Sequence, residues 1–223
     1  MMWVNPASKI TNDELLERLG LSHFQRSDNT SFDAAMYPED DRICIGRYQG
    51  SLIICLPFEQ ISEFYSPNTS DVEAKAIALF PSSEIYVSSL HSVVNHWGYC
   101  LIKNGEKLCY RTGDAENEAL EFGEPLPQEK ELLAQSSIDK TGARVYRLEH
   151  DPEEVYTEDQ VGENFVFNIF TRYMNNPLDS ADDDLFELEM EVYLKTAKTQ
   201  KSSADRKANR YKPVPESSWW KFW

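Results

Sequence analysis

Residues 84–127, EIYVSSLHSVVNHWGYCLIKNGEKLCYRTGDAENEALEFGEPLP, decide the fold. Apolar and polar positions alternate on both sides of Asn104-Gly105, and Asn-Gly suits the two positive-φ positions of a type I′ turn, so a hairpin is predicted. Strands are expected at about 84–90, 94–103 and 106–112, with another at about 118–122. A two-residue turn pairs residues whose numbers sum to 209, which sets Cys100 opposite Cys109. Gly123-Glu124-Pro125-Leu126-Pro127 breaks the sheet before a helix of roughly 128–135. The stretch also holds Trp97 and two of the four histidines.

Upstream, RICIGRY and SLIICLP flank Gln49-Gly50 as a second hairpin. Its register sums to 99 and opposes Cys44 to Cys55. Asn12 is the expected cap of a helix from Asp13 to Arg18, closed by Gly20. Residues 25–41, rich in Asp, Ser and Asn, read as loop. Ser70 and Glu73 form a capping box that opens a helix from Asp71 to Phe80.

Downstream, ARVYRLE (143–149) is a strand candidate. Thr157 and Gln160 form another capping box, starting a helix of about 158–174 with a buried stripe of Val161, Phe165, Ile169 and Tyr173. LFELEMEVYLK (185–195) alternates strictly, so a half-buried strand is expected there. No internal repeat or long linker divides the body. The reading is α+β: one domain over 1–196 with a mostly antiparallel mixed sheet and packed helices, then a basic Pro/Trp-rich extension over 197–223.

The formal charge of −16 argues against a nucleic-acid-binding body, since phosphate contacts need clustered Lys and Arg. That charge is uneven. Residues 195–223 hold 8 Lys/Arg against 2 Asp/Glu, a net of +6, and the remaining 14 against 36 give −22. A basic segment facing an acidic body favours docking within the chain or between copies. MMWVNPASKI lacks an apolar signal core and no apolar run reaches membrane-spanning length, so a cytoplasmic location is expected. Cytoplasmic thiols stay reduced, so the cysteines read as packing groups, with a redox-sensitive pair as the competing reading. No CxxC spacing supports zinc, and no metal or cofactor is expected.

His91, Ser92, Asn95 and His96 form the densest group of potentially reactive side chains, with Glu124 as the nearest candidate acid. On one extended strand the two histidines face opposite sides, unless a bend at His91-Ser92 intervenes. Ser92 lacks a nucleophile-elbow context, so no catalytic residue is assigned and the group is read at most as ligand-binding. The other unusual feature is KPVPESSWWKFW, where Trp219, Trp220, Phe222 and Trp223 make an aromatic interaction segment. It suits docking on its own domain, on a symmetry mate or on another protein, and, as a third reading, contact with a membrane surface or single-stranded nucleic acid.

These residues carry a family resemblance. His91-Ser92-Val93-Val94, an aromatic stretch, the Gly-turn hairpin and the Gly123–Pro127 run resemble an uncharacterised bacterial family built on a domain of unknown function. YPEDDRICIGRYQGSLIIC (37–55) and Gly162-Glu163 are similar to further parts of it, and the likeness spans roughly 35–195. Gln128 stands where the family has an aromatic residue, and the Trp-rich segment departs from its pattern. The resemblance implies a shared mixed α/β fold and no assigned activity. The resulting expectation is a non-enzymatic cytoplasmic binding or regulatory protein using its Trp-rich segment for docking or self-association. The alternative is a small-molecule-binding protein or hydrolase with a site near His91–Trp97.

Overall fold

Both hairpins close through paired left-handed residues, Gln49 (φ 45) with Gly50 (φ 81) and Asn104 (φ 53) with Gly105 (φ 78). That conformation matches the right-handed twist of the flanking strands. A computed structural model describes residues 1–196 and shows how these hairpins join. Its strands are β1 (Met2–Asn5), β2 (Phe24–Ser31), β3 (Arg42–Tyr48), β4 (Ser51–Cys55), β5 (Glu84–His91), β6 (His96–Lys103), β7 (Glu106–Gly113), β8 (Leu120–Gly123), β9 (Ser136–Ile138), β10 (Arg144–Leu148), β11 (Asp151–Thr157) and β12 (Glu189–Lys195). Its helices are α1 (Asn12–Leu19), α2 (Phe32–Ala35), α3 (Phe58–Ser62), α4 (Asp71–Leu79), α5 (Pro127–Leu133), α6 (Glu158–Ile169) and α7 (Asp183–Phe186).

Nine strands form one sheet in the order β2-β12-β3-β4-β1-β5-β6-β7-β8, every neighbouring pair antiparallel. β9, β10 and β11 form a small separate sheet. The fold is α+β, as expected. Both faces of the large sheet are covered, so its central strands alternate between two apolar sets. Met2, Val4, Ile54 and Ile85 face α1, α3 and α4 through Leu15, Ile61 and Ala76. Trp3, Ile53, Tyr86 and Leu101 face α5 and α6 through Leu132, Phe165 and Ile169, and Tyr146 of the small sheet joins that layer. Each large side chain so buried contributes about 1.5–3 kcal/mol. Among the described residues no helix is long and apolar enough to cross a membrane.

Several expectations need correction. The N-terminal residues, to which the sequence reading assigns no element, form β1 in the middle of the sheet, between β4 and β5. Residues 24–31 are a strand, β2, and its polar composition fits its place at a sheet edge. Thr11 caps α1, accepting from the Glu14 N–H at 3.2 Å, so Asn12 is already helical. Ser70 caps α4, but Glu73 does not complete the box, because its carboxylate turns to Lys107. α6 stops at Ile169 and a 3-10 turn follows, and Phe186 and Leu188 precede β12 instead of joining it.

The largest departure is in β7. Lys103 pairs with Glu106 and Ile102 with Lys107, but Leu101 then pairs with Cys109. Leu108 is the extra residue of a β-bulge, and Cys100 consequently faces Tyr110, not Cys109. The two thiols lie in opposite core layers. Cys44 and Cys55 do oppose each other. All four cysteines are free and buried. Residues 197–223, including Trp219, Trp220, Phe222 and Trp223, lie outside the described residues.

Candidate functional site

The histidines meet at one end of the sheet. Ser92–Val94 form a single 3-10 turn and Asn95 adopts φ 48, so β5 reverses into β6 and His91 stands directly opposite His96. The bend replaces the first two residues of the strand expected from 94. Asn95 Nδ2 donates to Asp159 Oδ2 at 2.9 Å and ties the turn to the start of α6. His91, Ser92 and Asn95 are exposed, and His96 is half-buried beside the Phe58 ring at 4.9 Å.

His96 enters a hydrogen-bond chain that sequence reading did not find. Its Nε2 lies 3.0 Å from Ser89 Oγ, Ser89 Oγ lies 2.9 Å from Tyr65 OH, and Tyr65 OH donates to the Gly98 carbonyl at 3.1 Å. The carbonyl can only accept, so the single phenolic proton is committed there. Ser89 therefore donates to Tyr65, and its own oxygen accepts from His96 Nε2–H. This is the reverse of a serine nucleophile, whose hydroxyl donates to the imidazole. Burial holds the His96 pKa below its ordinary value, Asp114 opposing and His91 adding to the shift. Among the described residues, no group of three or more His, Cys, Asp and Glu side chains is placed to hold a metal ion.

Glu124 stands apart from this group. Gly123 pairs with Cys109, while Gly113 pairs with Trp97 beside His96. Four strand residues separate those levels, on the order of 13 Å. The acid that acts on His96 is Asp114. Glu124 instead lines a cleft of about 80 Å³ with Tyr99, Arg111, Gly123, Pro125 and Glu129.

That cleft is built on Arg111, which is 4 % exposed. Its guanidinium contacts Glu158, lies 3.5 Å from Glu121 and 3.9 Å from Glu129, and stands over the rings of Phe165 (5.0 Å) and Trp97 (5.9 Å). Trp97 and Phe165 stack at 5.4 Å. Gly162 makes room for them, because a Cβ there would lie 1.9 Å from the Trp97 ring. Glu129 accepts from the Leu126 N–H at 2.5 Å, so the Gly123–Pro127 run is pinned to the same cluster. Burial raises the Glu129 pKa above the ordinary carboxylate value, although hydrogen bonds from Tyr99 and Leu126 and the Arg111 charge pull the other way. A lone Arg between Tyr110 and Thr112 on a core strand was the available sequence signal, since such a charge needs buried partners.

Burial raises every thiol pKa, to about 11 for Cys44 and about 12 for Cys55 and Cys109, with Cys100 also pushed up. Such groups remain thiols at neutral pH and are poor nucleophiles.

A family model described as a family of unknown function, DUF6928, matches residues 7–185. It spans both the 91–94 turn and the Gly123–Pro127 run, and it ends before β12. No curated protein and no solved structure matches the chain.

Proposed function

The chain belongs to DUF6928, a family of unknown function, and we propose that it is a non-enzymatic binding or regulatory protein whose Trp-rich C-terminal segment is its interaction element. The observation that carries this reading is an apolar tip at one end of the sheet. Phe58 (52 % exposed), Val93 (66 %) and Val94 (50 %) are the exposed large hydrophobic side chains there, beside the exposed His91, Ser92 and Asn95. Asp114 and Glu116 flank it through the Ala115 N–H to Val94 carbonyl bond of 3.4 Å, and Asp159 through Asn95.

β12 ends at this same end of the sheet, because Leu194 pairs with Arg42 and Cys44 with Cys55. Four strand spacings, about 20 Å, separate β12 from β5. The 22 residues between Thr196 and Trp219 reach up to about 70 Å when extended. Aromatic anchors within a segment of net +6 complement an apolar tip flanked by carboxylates on a body of net −22. Four unpaired cysteines fit a reducing, cytoplasmic setting.

The test compares the full chain, a chain ending at Pro213 and a Val93→Asp/Val94→Asp variant by sizing chromatography and thermal melting. Tail docking within the chain predicts a lower melting temperature in the shortened chain and in the variant, with no change in size. Self-association predicts that both lose a dimer. If neither change alters size or melting, the reading fails.

The second reading, a small-molecule site or hydrolase near His91, rests on the Ser89–His96 contact at 3.0 Å. The proton direction along the Tyr65–Ser89–His96 chain counts against serine activation. Loss of an esterase or ligand signal on Ser89→Ala, with the fold intact, would revive it.

A further inference from the structure

At the opposite end of β5 and β6 lies a cleft of about 510 Å³, lined among others by Ser82, Glu84, Lys103, Gln128, Arg172 and Tyr173. Its floor is the Glu84 carboxylate, 13 % exposed and fully occupied by donors. Arg172 donates to it through Nε at 3.0 Å and Nη2 at 2.8 Å, Tyr173 OH at 2.8 Å, and Lys103 Nζ at 3.3 Å. A bidentate guanidinium is held in one orientation, so its remaining N–H groups point in fixed directions.

Donors are left over. A guanidinium has five N–H groups and an ammonium three, and Glu84 engages only part of each. The Lys103 side chain is 50 % exposed and the Arg172 side chain 21 %. Ser82 OH and the Gln128 amide N–H groups also have no protein acceptor among the described residues, and Gln128 Oε1 is buried without a donor. The lining thus carries two cations against one carboxylate, a local positive excess on a body of net −22. Positive potential in a concave wall of an acidic protein is an unusual expense of folding unless something negative sits there.

We propose that this cleft binds a small molecule carrying a carboxylate or phosphate group together with at least one hydroxyl. The anionic group pairs with Lys103 Nζ and the outward N–H groups of Arg172. The hydroxyl accepts from the Gln128 amide N–H groups, and the volume suits a small metabolite, not a peptide. Glu84 acts as a positioning residue, since it touches both cations and fixes where they point.

The experiment is an amide-resolved NMR titration of the full chain at neutral pH and constant ionic strength, with inorganic phosphate, succinate and malate as probes and chloride as control. The proposal expects saturable shifts at Glu84, Lys103, Gln128 and Arg172, with malate tighter than succinate if the hydroxyl subsite is real. A stronger phosphate response assigns the anion as phosphate, and a stronger malate response assigns it as carboxylate. Lys103→Gln, an exposed change that leaves the Arg172–Glu84 bonds intact, should weaken binding roughly tenfold without altering the melting temperature. Lys140→Gln, outside the cleft, should change nothing. Linear, unsaturated shifts with every probe, or equal binding in Lys103→Gln, would overturn the proposal.

Discussion

Lys107 and Arg111 stand four residues apart on one strand with side chains only 9 % and 5 % exposed, yet they serve opposite faces of the sheet. Lys107 Nζ sits 2.8 Å from Glu73 Oε2 and donates to the Ser66 carbonyl at 2.7 Å. Lys107 and Glu73 side chains are 9 % and 0 % exposed, one cation closed on one carboxylate. Arg111 gathers three carboxylates, leaves its Nε unpartnered and borders a cleft. On a regular strand both would face the same side. The Leu108 bulge separates them, and the difference distinguishes a pair that holds the fold from a cluster with chemical latitude.

The sharpest way to break the closed pair is Glu73→Ala. It strands a buried ammonium and should cost about 3–5 kcal/mol in chemical denaturation. Replacing both partners, as Glu73→Leu with Lys107→Met, should recover most of that loss. An equal loss in the double variant would mean that the pair does more than satisfy its own charges.

The open cluster is tested through its packing floor. Gly162→Ala places a methyl group 1.9 Å from the Trp97 ring, which must move from beneath Arg111. The expected loss is about 1–3 kcal/mol, with altered near-ultraviolet dichroism from Trp97. Gly123→Ala presses a Cβ to 2.0 Å from the Leu108 carbonyl at φ 82, so a loss of similar size is expected through the bulge itself.

The smallest effect is a pH dependence confined to Arg111's side. Glu129 has a folded pKa above its unfolded one, so the folded chain retains that proton to higher pH. Its contribution to stability is fully present below the unfolded pKa and is lost as pH rises through the folded pKa. Glu129→Gln has no such proton to lose. The variant should gain on the parent chain as melting is measured from mildly acidic to neutral pH. A constant difference across that range would show that burial of Glu129 is fully compensated by Tyr99 and Arg111.

Much of the architecture was legible because turns and alternation are local. Gln49-Gly50 and Asn104-Gly105 fix their own backbone angles, and the Cys44–Cys55 register follows from the first. The failures have tertiary causes. β2 is polar because it is an edge strand, and β1 was hidden because four residues carry no usable period. Glu73 fits a capping box by spacing, but burial opposite Lys107 overrides it. The candidate site was legible only in part. His91 and His96 meet because of a bend considered in advance, whereas Ser89, Tyr65, Arg111 and Glu129 come together through pairings between distant segments. Glu124 belongs with Arg111 because β8 pairs with β7 four residues from the histidine level.

The bulge also sets how this stretch can tolerate changes in length. Side chains along a strand alternate like a two-beat frame, and a deletion or insertion normally inverts every residue beyond it. Leu108 lies outside that count, exposed at 41 % and unmatched in the ladder. Removing it leaves Lys107 and Cys109 on the faces they already occupy, and Arg111 stays with Glu129 and Glu158. Deleting either neighbour in place of Leu108 would lose a paired residue of the ladder along with its side chain. A scan of single-residue deletions along 106–113 should therefore find folded protein at Leu108 and aggregates at Cys109 and Tyr110. The strand carries one silent position, and its location marks where a related chain could be one residue shorter without exchanging its two buried cations.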